Sequence, residues 1–353
     1  MSSLPRVSPG QRSALTSPLR IVSIGGGTGL STLLSGLKQH APAAEIAAVV
    51  TVSDDGGSSG RLRRDFDILP PGDIRNCMTA LSEDEDLLCR LFQYRFSSGR
   101  GLKGHSFGNL FLTAMHQITG DFADAVKLSS DILAIRGRIF PATSANITLE
   151  AVLTDGAVVR GESKISKSRR PIELIRLRPE NCEPLPEVLE AIRRADLITL
   201  GPGSLYTSVI PNLLVNGVAE AIQRSPALKA YVVNLMWQPG ETINFSASQH
   251  VKAIHQHARR KLTDCVILNT APIPPAMKRK YARVHVKPVE NDIEELNALG
   301  IKVVADDLVG DPAAVQHKVR HNPAALARIV MDLASRSRAH QLRQSALAAR
   351  RIR

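Results

Sequence analysis

Four short apolar runs in this chain each end in a cluster of small and polar residues, and that repetition limits the fold more than any other feature. Arg20–Ile24 closes on Gly25-Gly26-Gly27-Thr28-Gly29, and Ile46–Val52 on Ser53-Asp54-Asp55-Gly56-Gly57-Ser58-Ser59-Gly60. Asp196–Leu200 closes on Gly201-Pro202-Gly203-Ser204, and Ala230–Met236 runs into a cluster from Asn234 to Thr242. Apolar runs of this length, rich in β-branched residues, read as buried strands. Leu30–His40 has helical spacing and separates the first two. Strand, helix, strand within ~30 residues is a βαβ unit, which makes the pair parallel. The fold class is therefore α/β, a Rossmann-like parallel sheet with helices on both faces. Ligands of such sheets bind outside the carboxyl ends of the strands, so the four clusters are expected to gather at one edge.

Further helices are expected at Asp73–Leu81, Glu85–Tyr94, His105–Ile118, Asp121–Ile135, Pro186–Arg194, Gly217–Arg224 and Ala247–His257, and a strand at Cys265–Leu268. Between them Ile147–Leu153, Asp155-Gly156 and Ala157–Gly161 spell a hairpin, to which Ile172–Arg178 adds a third strand. This gives a small antiparallel excursion at about 147–178. Residues 1–19 are rich in Ser, Pro and Arg and read as a disordered leader. Residues 20–322 form a single α/β domain. In 323–353, Ala324–Ala334 suits a helix, and Ser335–Arg353 reads as a basic tail without pattern.

The net charge is +12 over 353 residues, but it is unevenly placed. Residues 1–20 hold three arginines and no acid; residues 318–353 hold nine Lys or Arg against Asp332 alone. A duplex binder needs a basic stripe on its folded surface, so nucleic acid is not an expected partner except through these ends. Aromatic residues, at 4%, are too sparse for a single-strand stacking platform. Four scattered cysteines exclude a disulfide scaffold and show no zinc spacing. Leu197–Ala219 lacks charge but carries too many Gly, Pro and Asn residues for a membrane span. The N-terminus has no apolar secretory core, and the expected location is the cytoplasm.

Candidate site residues follow from the clusters. Gly26, Gly27, Thr28 and Gly29 allow close backbone approach to a phosphate at a helix N-terminus, although alone the run is equally a tight βα turn. No GK[ST] follows, so it is not a P-loop. Asp54 and Asp55 could accept from ribose hydroxyls or hold magnesium; Asp-Gly turn chemistry is the plainer alternative. Asp73 opens a helix, as an N-cap or as a group facing the cleft one turn from Asn76. His105 and Asn109 stand one turn apart at a helix start, although a lone His is more often structural. Gly201, Gly203, Ser204 and Asn234 come from the other two clusters. His250, His255 and His257 lie among Arg and Lys residues without metal spacing and read as solvated.

The string Gly25-Gly26-Gly27-Thr28-Gly29-Leu30-Ser31 resembles the opening of the bacterial gluconeogenesis-factor (YvcK-like) family, of the 2-phospho-L-lactate transferase (CofD-like) superfamily. Thr51–Leu62, Pro70–Asn76, Phe92–Phe96, Gly104–Asn109, Gly201–Ser208 and Pro211–Leu214 are similar to its later blocks, in order, ending near Arg320-His321-Asn322. The resemblance implies a Rossmann-like fold and a regulator of carbon metabolism and cell shape through cell-wall synthesis. It implies binding of UDP-sugars such as UDP-N-acetylglucosamine. The alternative is a magnesium-dependent phosphotransferase acting from a nucleotide diphosphate donor, with Asp73 catalytic and Asp55 and Asp73 at the metal. The resemblance leaves a homo-oligomer open. Where the family usually reads Thr-Asp-Gly-Tyr, this chain reads Thr242-Ile243-Asn244-Phe245. Phe245 is thus carried into the nucleotide-sugar contact without a hydroxyl.

Overall fold

The computed structural model describes residues 17–83, 87–311 and 318–351. Most of the expected leader, 1–16, lies outside the described residues. The strands are β1 (Leu19–Gly25), β2 (Ala44–Val50), β3 (Arg138–Pro141), β4 (Thr148–Leu153), β5 (Val158–Arg160), β6 (Ile172–Arg178), β7 (Leu197–Leu200), β8 (Leu228–Val232), β9 (Cys265–Asn269) and β10 (Lys302–Asp306). The helices are α1 (Gly27–Lys38), α2 (Gly57–Phe66), α3 (Gly72–Leu81), α4 (Leu87–Gln93), α5 (Phe107–Thr119), α6 (Phe122–Ile132), α7 (Glu162–Ile165), α8 (Pro186–Arg194), α9 (Ile210–Leu213), α10 (Val218–Arg224), α11 (Ala247–Ala258), α12 (Pro275–Ala282), α13 (Ile293–Ala298) and α14 (Pro323–Arg351).

Seven strands form one sheet in the order β3-β2-β1-β7-β8-β9-β10, and every pairing in it is parallel. All four residues of β7 and the last five of β1 are buried, as expected of strands covered by helices on the sheet. The chain leaves β1 in one direction, through β2 to β3. It returns to β7 beside β1 and then proceeds the other way to β10. The reversal makes β1/β7 the topological switch point, where open parallel sheets bind ligands. The expected insertion is a separate antiparallel sheet, β5-β4-β6.

Several elements differ from the sequence expectation. The fourth strand stops at Val232 rather than Met236, because Asn234–Met236 turn outward into a cleft wall. The helix α2 starts in Gly57-Ser58-Ser59-Gly60, a run of poor helix formers, so local preference does not announce it. The edge strands β3 and β10 are short and partly exposed.

The largest departure is at the C-terminus, where one helix runs continuously from Pro323 to Arg351. No Gly or Pro interrupts it after Pro323. Beyond Leu333 its buried face passes through Ala334, Ser337 and Arg338. These have helical spacing but are not large apolar residues, so the pattern is invisible to a hydropathy reading. Arg338 pairs with the fully buried Asp196, as does Arg20 at 2.9 Å, and it donates to the carbonyls of Ser17 and Pro18. Arg328 meets Asp306 and Arg336 meets Asp332, each at 2.8 Å. Part of the terminal charge is thus spent inside the fold.

Two of the three α11 histidines are also not solvated, His255 alone being partly exposed. His250 and His257 are buried, and their Nδ1 atoms lie 2.8 and 2.7 Å from the Ser246 and Ala253 carbonyls. His257 Nε2 accepts from the Ile175 amide at 3.0 Å. Burial holds the His250 imidazole down at about 4.

Candidate functional site

The loops after β1 and β7 touch at the switch point. A Cβ on Gly29 would stand 2.5 Å from the Pro202 carbonyl oxygen, so a larger residue would force the loops apart. Gly27, at φ +60°, takes a conformation that favours glycine, and its Cβ direction is open. It opens α1 directly after Gly26, which supplies no capping side chain. With no such cap, the amides that follow Gly27 in the first turn of α1 point toward the cleft end of the helix, with the helix dipole behind them.

A cleft of about 470 Å³ lies over this junction. Gly26, Gly27, Thr28 and Gly29 line one side, Gly203 and Ser204 a second, and Asn234 and Gln238 a third. Side-chain bonds tie the walls together. Gln238 Nε2 donates to Ser204 Oγ at 2.9 Å, and Asn234 Nδ2 donates to Gln238 Oε1 at 3.1 Å. Glu241 accepts from the Tyr206 amide at 3.0 Å and from Thr207 Oγ1 at 2.9 Å, fixing the π-helical turn Leu205–Val209. Burial holds the Glu241 carboxyl above its ordinary value against those bonds. Trp237, the single tryptophan of the chain, also lines the cleft and donates its Nε1–H to the Phe245 carbonyl at 3.0 Å. Arg320 and His321 close the remaining side.

Acids stand beside the glycine loop. Asp73, in the first turn of α3, lies against Gly26 and accepts from the Gly27 amide. Its carboxyl is pushed up to about 6, by burial first and then by the charge of Asp54. Glu162, from the insertion, is raised well above its usual range by burial and then by Asp73 and Asp54. Ser53 Oγ donates to it at 3.2 Å. Asp55, by contrast, accepts from the Ser163 amide at 2.9 Å and anchors the insertion. The acid that acts on Asp73 is therefore Asp54, not Asp55. Among the described residues no three His, Cys, Asp or Glu side chains form a ligand set for a metal. Magnesium commonly takes only one or two protein carboxylates and fills its remaining positions with phosphate and water. Asp54 and Asp73 fit that requirement.

The other expected site residues divide. Gly201 sits behind the cleft, its amide donating to the Ile24 carbonyl at 2.8 Å. His105 and Asn109 are buried behind α2: His105 Nδ1 lies 3.0 Å from Ser58 Oγ, and Asn109 Nδ2 donates to Ser58 and Ser59. They support the α2 start instead of lining the cleft. Phe245 does not line the cleft either, because its ring packs edge-on against Tyr206 and His250. Asn76 lines a second, neighbouring cleft. Gln238 and Glu241 lie inside a recognised strand-end cluster but were not singled out there. Glu162 and Arg320 come from outside every such cluster; no local signal marks Glu162, and Arg320 stands only in the block Arg320-His321-Asn322 where the resemblance ends.

An open parallel sheet with a glycine-lined cleft at its switch point defines a Rossmann-like α/β protein. Residues 21–309 match the family of 2-phospho-L-lactate transferase CofD. The chain is 49% identical to the gluconeogenesis factor of Bacillus subtilis over 89% of its own length and 98% of that protein. It is 48% identical to the gluconeogenesis factor of Halalkalibacterium halodurans, over 88% and 95%. A crystal structure of a Bacillus halodurans protein superposes with a TM-score of 0.86 at 47% identity, covering 89% of this chain and 99% of that one. The chain belongs to the CofD superfamily and, within it, to the gluconeogenesis-factor family.

Proposed function

We propose that the switch-point cleft binds a nucleotide sugar, of which UDP-N-acetylglucosamine is the family's expected example. In this reading the protein is a cytoplasmic regulator linking carbon metabolism to cell-wall synthesis and cell shape. The observation that carries the proposal is the junction of Gly27–Gly29 with Gly203 and Ser204. It offers helix-start amides to a diphosphate, while Asn234 and Gln238 present amide heads further along the cleft. A volume of about 470 Å³ lies in the range of small-molecule sites. The Gly27 amide is held by Asp73, so a diphosphate would compete with that carboxylate. Asp54 and Asp73 would hold magnesium, which would offset the repulsion between carboxylate and phosphate.

The transferase reading draws on the same Asp73. A carboxyl with a value of about 6 beside a phosphate loop is suited to take a proton from an acceptor hydroxyl near neutral pH. Phe245, turned into the core, offers no polar group for such chemistry, and regulation remains the first reading. A thermal-shift screen against nucleoside diphosphates and nucleotide sugars, with and without magnesium, tests binding. A ligand at 100 times its dissociation constant stabilises by ~2.7 kcal/mol. Chromatography of the same mixtures for released nucleotide separates the readings. Steady turnover that vanishes in Asp73→Asn would install the transferase.

A further inference from the structure

A second cleft, of about 900 Å³, adjoins the first along α1. Thr28 and Thr32 form the partition between the two, and Arg320 reaches both. The cations of the second cleft are Lys38, Arg75, Arg95 and Arg320, and no carboxylate lines it among the described residues. Three of the four do not line the nucleotide cleft.

Arg75 and Arg95 donate to neutral partners, and Lys38 reaches a carbonyl. Lys38 Nζ donates to the Ser82 carbonyl at 2.9 Å, and Arg95 Nη1 to the Gly104 carbonyl at 2.6 Å. Arg75 donates to Ser106 Oγ at 2.5 Å and to Asn76 Oδ1 at 2.7 Å. Its Nε–H is buried and has no partner among the described residues. A buried donor left unpaired costs about 1–3 kcal/mol. Burial, and then the Arg95 charge, hold the Arg75 guanidinium below its ordinary value. Cations lining one cavity that no described carboxylate lines favour a multiply charged anion.

We propose that this second cleft is a separate binding site for a small phosphate ester. Its cations match the dianionic head, and the hydroxyls of Ser31, Ser35 and Thr79 suit a polyhydroxylated body. The site goes beyond the nucleotide-sugar reading and does not depend on it.

Glycerol 3-phosphate, inorganic phosphate and citrate are the probes, titrated by calorimetry into the full chain. Arg95→Glu tests the second cleft, because Arg95 is exposed and outside the nucleotide cleft. Gly27→Val tests the first. The expected result is that glycerol 3-phosphate binds at least as well as inorganic phosphate, loses tenfold or more in Arg95→Glu, and is unchanged in Gly27→Val. UDP-N-acetylglucosamine should show the reverse dependence. Absence of probe binding to the wild type would overturn the proposal, as would tighter binding of citrate. Loss of glycerol 3-phosphate in Gly27→Val alone would place the phosphate at the glycine loop instead. Equal weakening of both ligands by Arg95→Glu would make the clefts one site. Failure of UDP-N-acetylglucosamine alone would count against the nucleotide-sugar reading and leave the second site standing.

Discussion

Arg338, in the second half of the last helix, neutralises Asp196, a fully buried carboxylate just before β7. Burial pushes the Asp196 carboxyl up, but hydrogen bonds from Arg20 and Arg338 outweigh it and hold it below the usual range. Breaking a buried pair by removing one partner costs about 3–5 kcal/mol. Arg20 remains, so Arg338→Met is expected to cost about 3 kcal/mol at neutral pH. A depressed carboxyl contributes stability above its unfolded value, near 4, and loses it as pH falls through the lower folded value. Urea denaturation should therefore show the gap between wild type and variant narrowing in that acid range. A gap that is small at neutral pH would mean that Arg338 is solvated. Deleting residues 335–353 removes the same partner and is expected to destabilise the body.

The same helix meets α1 at its start. A Cβ on Gly36 would stand 2.1 Å from the Pro323 carbonyl oxygen. Neither backbone can yield cheaply, and overpacking of this kind costs about 1–3 kcal/mol. Gly36→Ala should lower the denaturation midpoint accordingly, while Ser35→Ala, one residue away, should have little effect.

Asp73 carries a pH signature of opposite sign. Its folded value, about 6, exceeds the unfolded value near 4. The folded state therefore binds more protons between them, and this group withdraws stability as pH rises from 4 to 6. Asp73→Asn is expected to change stability little near pH 4 and to raise it by about 3 kcal/mol above pH 6. Denaturation at the two pH values measures this. Equal effects at both would indicate that Asp73 is not shifted. A site that stores such repulsion is a place where stability yields to ligand or metal binding.

The sequence carried the sheet and half of the site because both depend on local pattern. Apolar runs closed by Gly25–Gly29 and Gly201–Ser204 identify β1 and β7 and the loops that meet. What could not be read depends on long-range contact. Asp54 and Asp55 are adjacent and alike, and only the position of Ser163 decides which one faces Asp73. Glu162 arrives from the insertion and Arg320 from the segment after β10. His250 lies close to several basic residues in sequence, yet the helix turns it inward. Ala334, Ser337 and Arg338 form a buried stripe whose partner is an acid, which no hydropathy scale reports.

In the proposed function the Gly27 loop would bind the diphosphate of a nucleotide sugar. Calorimetric titration of UDP-N-acetylglucosamine into wild type and Gly27→Val, with Trp237 fluorescence as a second reporter, tests it most directly. Position 27 opens toward the cleft at a positive φ, so the valine should both strain the loop and block approach, while circular dichroism shows the rest of the fold intact. One site is expected in the wild type, with a loss of at least tenfold, ~1.4 kcal/mol, in the variant. Unchanged affinity in a folded Gly27→Val protein, or a wild type that binds no nucleoside diphosphate or nucleotide sugar, would contradict it.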